Sequence, residues 1–566
     1  MYSQLRLLCL AVVLAILSGC ATYGQGVQKG LDLTKQGQYT QAAASLEKAL
    51  DPQGDDRLLY YTELGVVHHL AGDYTKSNQL LETAERIAED LYTKRAGDLL
   101  ASAMSNPRNA PYRGNDYERV YINYFKALNY FMLSAQAANK ADKEKALEGA
   151  RIETRRMESL LAAMEYEKGS YEEQADKEKS MFNKLLKIFE KLSGEIIDKD
   201  KLVYRNDAFG NYLAGIIYEK HGEWDEARVA YQKAAKLYEQ GYQDQYKLDA
   251  DVTEQAWFDT IRMMQKGGGW ENEWPRLSQS KLSKDKREEL KDFNRKGHLV
   301  VIEHVGMVPQ REEMNLMVTT DANRQEFVIQ PFFTGTEQEQ FDQRFWFFTL
   351  YADKSILGLL GSASDGQLGR ALMEFGNIKR QGIGPLWSVA DGLGLIKAIE
   401  GGMRVTVPYY RVPSMMNVGK SQLTVGNQTY PMITSQSLAH LAVQQQLLTA
   451  SDDLQEAMAR EALKNLTAYQ VGSAGGGLLA LAGKIAANAS SAAETRNWLL
   501  LPWAIKVRRI ALDEGTHTVK LRSEVLPGKV DSEETTVNIE KGQLKVWTVR
   551  TFANDVQPNN MTVAGS

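Results

Sequence analysis

Apolar positions recur every three or four residues through the first half of the chain and every second residue through much of the last part. Tyr117, Val120, Tyr121, Tyr124 and Leu128 share one helical face, as do Phe182, Leu185, Leu186, Ile188, Phe189 and Leu192. Downstream, β-branched and aromatic runs predict strands over 299–305, 404–412, 421–425 and 428–433, with Gly426-Asn427 as a two-residue hairpin turn. A second group follows at 505–512, 517–525, 535–539 and 544–551. Turns at Glu514-Gly515, Pro527-Gly528 and Lys541-Gly542 join its members, so it reads as an antiparallel meander with sandwich-like spacing. Residues 437–470 read as an inserted helix, and the aromatic run 345–351 as a buried strand.

The helical half repeats itself. Gly37, Tyr39, Ala42, Leu46 and Ala49 recur in register as Gly72, Tyr74, Ser77, Leu81 and Ala84, and again as Gly222, Trp224, Ala227, Tyr231 and Ala234. A further glycine precedes each set at a fixed interval: Gly30, Gly65 and Gly215. This pattern resembles the tetratricopeptide repeat, a pair of antiparallel helices that needs small residues where the two cross. The resemblance implies a stacked array with a concave groove lined by the first helix of each pair. It puts Thr62, Val66 and His69 on that groove in the second copy, and Tyr212, Ile216 and Glu219 in the third. The groove is expected to hold a peptide or a helix of another envelope protein, with Tyr212 as anchor, while Tyr231 and His68 belong to the core.

The chain begins with a segment of another kind. Arg6 precedes an apolar run over 7–17, which is too short to span a bilayer and suits a secretory signal. Its end, Leu17-Ser18-Gly19-Cys20, resembles the bacterial lipobox. That resemblance implies cleavage between Gly19 and Cys20 and acylation of Cys20, which would anchor the protein in a membrane. Ala21 stands where an aspartate would favour the inner membrane, so the expected address is the periplasmic face of the outer membrane. Cys9 would leave with the signal. The expected order is therefore signal peptide 1–20, tetratricopeptide-like helical array 21–265, linker 266–297 around Gly267-Gly268-Gly269 and Pro275, and a β-rich region with inserted helices over 298–566. The array is expected to fold alone. The class is α+β.

Composition removes several chemistries. With 67 basic and 72 acidic residues the net charge is −5, which excludes a strongly basic surface for nucleic acid. Two cysteines exclude a disulfide framework and a cysteine-based zinc module. Gly483-Lys484 lacks the first glycine and the hydroxyl of a phosphate loop, and Gly392-x-Gly394 lacks the third glycine of a dinucleotide fingerprint. Adjacent His68 and His69 diverge by about 100° on a helix, which is poor for one metal. Asp365 and Asp391 stand in glycine-rich loops without a partner. No cofactor, metal or catalytic residue is expected. Residues 117–130 and 495–502, together with the lipobox and the repeats, resemble a family of uncharacterised bacterial lipoproteins with tetratricopeptide repeats. The resemblance implies architecture and address, and brings no catalytic residues. The expected function is a non-enzymatic protein-binding scaffold or adaptor in the cell envelope. The alternative is a ligand-binding or enzymatic C-terminal region that the repeats target.

Overall fold

Each repeat copy folds into a helical hairpin: α1 (Tyr23–Lys35) with α2 (Tyr39–Ala49), α3 (Arg57–Leu70) with α4 (Tyr74–Thr93), and, after another hairpin, α7 (Ala208–His221) with α8 (Trp224–Leu237). The computed structural model describes residues 22–93, 107–167, 206–351, 378–411, 419–475, 491–526 and 529–552. The repeat glycines mark the crossings. A Cβ at Gly30 would lie 2.6 Å from Leu46, at Gly65 2.7 Å from Leu81, and at Gly215 2.5 Å from the Tyr231 ring. Gly37, Gly72 and Gly222 take positive φ (72°, 78° and 86°) and turn the chain between the two helices. The intervening hairpin, α5 (Asp116–Gln136) with α6 (Lys140–Glu167), lacks the repeat signature and reverses its device. Its small residue, Gly149, sits on the second helix, where a Cβ would meet the Tyr130 ring at 2.7 Å. The helical pattern at 182–192 lies outside the described residues.

Residues 266–297 are not an extended linker. Helix α9 (Asp251–Gly267) is followed by α10 (Trp274–Lys281) and α11 (Lys284–Phe293). Among those charged residues Leu282, Leu290 and Phe293 are buried, and the Phe293 ring packs edge-on against Phe258 at 5.0 Å. Three widely spaced apolar side chains suffice to fold this stretch back onto α9.

Among the described residues the β-rich region forms three four-stranded sheets. The first joins β1 (Gly297–Val305), β8 (Ile433–Ser437), β9 (Ala504–Leu512) and β12 (Leu544–Thr551) in the order β12-β1-β9-β8. Here β12 runs parallel to β1, and β9 antiparallel to both β1 and β8. The second has the order β11-β10-β6-β7, from β6 (Ser421–Val425), β7 (Gln428–Pro431), β10 (Gly515–Leu526) and β11 (Lys529–Ile539). The predicted turn at Gly426-Asn427 joins β6 to β7. Leu299 and Val301 of β1, Ile510 of β9, Leu423 of β6 and Val519 and Leu521 of β10 form one core between these two sheets. They are therefore the layers of a sandwich. The last four strands are not one meander, because β1 inserts between β9 and β12 while β10 and β11 pair in the other layer.

The third sheet has the order β4-β3-β2-β5, from β2 (Arg311–Asp321), β3 (Glu326–Phe332), β4 (Lys379–Gly382) and β5 (Met403–Tyr410). The aromatic run 345–351 belongs to a helix, α12 (Glu337–Tyr351), and not to a strand. Trp346, Phe347, Leu350 and Tyr351 are buried at helical spacing, and the Trp346 indole donates to the Tyr410 carbonyl at 2.6 Å. Of residues 437–470, Ser437 ends β8 and the rest fall in a long helix, α13 (Leu438–Gly475). The class is α+β, a helical array followed by a β-rich region with inserted helices. No helix among the described residues is long and apolar enough to cross a membrane.

The crossings can be tested by two alanines. Gly215→Ala forces the Tyr231 ring to move and should cost about 1–3 kcal/mol. Gly26→Ala, in α1 with nothing within 4 Å of its added Cβ, should stabilise by about 0.5–1 kcal/mol. Urea denaturation of both variants decides; equal effects would refute close packing at the repeat glycine.

Candidate functional site

All of the predicted groove residues are closed off from solvent. Thr62, Val66, His69, Tyr212, Ile216 and Glu219 are each buried, and the chain's own β-rich half reaches two of them, His69 through the His304 ring and Glu219 through Arg509. Strand β1 makes the reason visible through its alternation. Leu299 and Val301 point into the sandwich, while Val300 and Ile302 join the core shared with the helices. His304 lies on the helical side too, where its Nε2 is 2.7 Å from the Tyr124 hydroxyl and its ring stacks on Phe125. His69 reaches the same pocket through its Nδ1, 2.6 Å from the Asn129 amide oxygen. Burial pushes the His69 imidazole down to about 4 and His304 well below its ordinary value, so both are neutral. The roles of the two neighbouring histidines are thus exchanged. His69 is packed, and His68 stays partly exposed, 3.5 Å from Asp73.

Near the first repeats the groove holds an irregular segment of the same chain, which turns at Leu499-Leu500. Glu63 of α3 accepts the Leu499 and Leu500 amides at 2.7 and 3.0 Å, and the Tyr23 hydroxyl at 3.2 Å. Glu118 of α5 accepts the Trp498 amide at 2.9 Å and the Tyr112 hydroxyl at 2.6 Å. Three consecutive N–H groups that pair with no strand are thereby satisfied by two buried carboxylates. Arg496 anchors the segment's start, donating to Asp56 at 3.0 Å and to the carbonyls of Pro107 and Ala110 at 2.9 Å. The arrangement binds peptide backbone, and its ligand is residues 496–500. Burial pushes the Glu63 carboxyl up to about 8, against the Leu499, Leu500 and Tyr23 hydrogen bonds that lower it.

At the third repeat the contact is ionic. Arg262 of α9 forks onto Glu219 of α7, Nη1 to Oε1 at 2.6 Å and Nη2 to Oε2 at 2.5 Å, and also donates to Asp259 at 3.0 Å. Arg509 of β9 comes from the opposite side, 3.0 Å from both Glu219 and Asp259, and donates to the Tyr231 hydroxyl at 2.7 Å. Tyr212 donates to Asp259 at 2.5 Å. Burial raises the Glu219 carboxyl, but Arg262 and Arg509 outweigh it and hold it well below the usual range. His298 donates from Nε2 to the Phe293 carbonyl at 2.9 Å, and burial pushes it down to about 4. Tyr212 is therefore core, in the same cluster as Tyr231, and not an exposed anchor.

Other candidates fall away. Gly392 ends a short helix over Leu386–Gly392, Asp391 lies within it, and Gly394 turns left-handed. No cluster of three or more histidine, cysteine, aspartate or glutamate side chains able to hold a metal exists among the described residues. Gly19, Cys20, Asp365 and Gly483-Lys484 lie outside them. Sequence reasoning missed Glu63, Glu118, Arg496 and Arg509. The available signal was the charged residues in the otherwise apolar first helices, Glu63 between Thr62 and Leu64, and Glu219. No protein-family model matches the chain, and no curated protein matches it.

Arg509→Met should leave Glu219 and Asp259 sharing one guanidinium in a dry site and cost about 3–5 kcal/mol. Tyr212→Ala should cost as much as Tyr231→Ala, again about 3–5 kcal/mol. A Tyr212→Ala loss within about 0.5 kcal/mol in denaturant titrations would return this residue to the surface.

Glu63 supplies a pH test. Its folded carboxyl titrates near 8 against an ordinary 4.5, so between those values the folded state holds the extra proton. Its contribution to stability is largest below the lower value and falls as pH rises to the upper one. Unfolding free energies measured across that window should decline less steeply in Glu63→Gln than in the wild type. An identical slope in the two proteins would mean that Glu63 stays ionised.

Proposed function

We propose that the protein is a lipid-anchored, non-catalytic scaffold of the bacterial cell envelope, held through Cys20 at the periplasmic face of the outer membrane. Its repeat array works in cis. The groove that such repeats offer to a partner binds the chain's own residues 496–500 and the sheet around β1 and β9. Other envelope proteins then meet the assembled body and not an open groove. The observation that carries this reading is the capture of three successive amides by Glu63 and Glu118. The address rests on the lipobox resemblance and on the lipoprotein family that the repeats and residues 117–130 and 495–502 resemble.

Two experiments test it. Cys20→Ser should abolish incorporation of labelled palmitate and leave an unprocessed precursor; an acylated variant would refute the anchor. A photocrosslinking amino acid at exposed Lys76 or Gln79 of α4 should form adducts with other envelope proteins in cells. At Val66 or Ile216 it should give only internal links. Adducts to another polypeptide from those two groove positions, in protein that keeps its melting temperature, would overturn the cis reading.

A further inference from the structure

A second concavity, on the order of 930 Å³, opens away from the filled groove, where the start of α6, the α7–α8 turn, the end of α9 and the β11–β12 turn meet. Its size is that of small-molecule sites, about 300–1,000 Å³. Its charge is unbalanced in a specific way. The acidic groups are already engaged: Glu219 by Arg262 and Arg509, Glu148 by Arg151 at 2.6 Å, and Glu144 by Lys140 at 3.6 Å. Lys266 lies over the Trp224 ring, 3.8 Å from Glu219. That leaves Lys143 of α6 and Lys220 at the end of α7. Neither forms an ion pair among the described residues. The partly buried Lys220 amine donates to the Leu544 carbonyl, which uses one of its three protons. Burial first, then Lys143 and Lys545, push this amine down to about 8, against the pull of Glu219 and Glu540. The carbonyl end of α7 accounts for Lys220 at this place but not for Lys143 beside it.

We infer that this cleft binds a small anion bearing phosphate or carboxylate groups, held by Lys220 and Lys143. Two ammonium groups without an ion-pair partner gain a shared one there, and lysine serves such groups as a compact point charge. The site is independent of the scaffold reading: Glu219 lines both the cleft and the groove, but Arg262 and Arg509 engage it, and neither lysine belongs to the groove. His221, 3.5 Å from Glu223, and Lys266 flank the anion without being required for it.

The test is calorimetric titration of the full chain with inorganic pyrophosphate and, separately, with citrate, in low salt. At least one should bind; pyrophosphate alone marks a phosphate ligand, citrate alone a carboxylate. Lys220→Gln and Lys143→Gln should each weaken that binding by about tenfold. Lys143 is exposed, so its replacement leaves the fold intact. Lys291→Gln on exposed α11 should change nothing. Raising salt from about 50 to about 300 mM should weaken binding further. Failure of both anions to bind, or wild-type affinity in either cleft variant, would overturn the site.

Discussion

Two carboxylates buried in the helical half, Glu219 and Asp259, share one guanidinium from that half among the described residues, Arg262, with the Lys266 amine farther off at 3.8 Å from Glu219. The second, Arg509, arrives on β9. A buried ion pair adds little net stability over an apolar pair, because desolvation offsets most of the attraction. An incomplete one is far worse, since a charge in a dry site has nothing to screen it. The array therefore cannot present this surface to water or to a loosely fitting partner without a large penalty. That constraint brings β9 into the groove, and with it β1, paired to it along its whole length from Gly297 to Val305.

Once β1 is placed, the remaining layers follow from strand alternation. One face completes the helical core through Val300 and Ile302, and the other forms the sandwich through Leu299 and Val301. A strand covered on both sides reads as a continuous apolar run, as these residues do. Polar side chains on such a strand need partners, and they have them. Glu303 accepts from Thr551 at 2.9 Å on the sandwich side, and His304 meets Tyr124 on the helical side. The same demand explains residues 496–500. They leave the sheet system before β9 begins, and their amides must be satisfied by something other than a neighbouring strand.

Local features were legible in the sequence because they depend on nearby residues. Gly30, Gly65 and Gly215 are set by helix crossings within one hairpin, Gly426-Asn427 by a two-residue turn, and most strands by β-branched runs. What was not legible depends on distant segments. Thr62, His69, Tyr212 and Glu219 are polar or amphipathic, as exposed groove residues would be, and nothing nearby in the sequence says that all four are buried. The run 345–351 suits strand or helix by composition alone. Its capped first turn, with Thr336 and Glu339 hydrogen-bonded at 2.7 Å, decides for helix. The segment 495–502 stood out as a motif, and its meaning emerged only when Glu63 and Glu118 appeared opposite its amides.

This closure changes the physics of the repeats. A simple stack gains stability unit by unit from its neighbours, and fragments of it can fold. Here Glu63 bonds to Leu499, 436 residues away, so the second repeat is completed by the far end of the chain. Loop-closure entropy rises only logarithmically with length, so that separation weakens stability little. It weighs more on rate, because contacts of long sequence separation form after local ones. The hairpins have everything they need for their own crossings, whereas the groove carboxylates do not find their partners until β9 has been reached. An array isolated at residue 265 would keep its glycine-mediated crossings and lose Arg509, the Leu499 and Leu500 amides, and the His304 ring beside Tyr124 and Phe125. Its charged and apolar groove residues would be left in conflict, the former needing partners and the latter needing to be buried. The groove is thus an internal interface whose specificity comes from charges that the helical half does not satisfy alone.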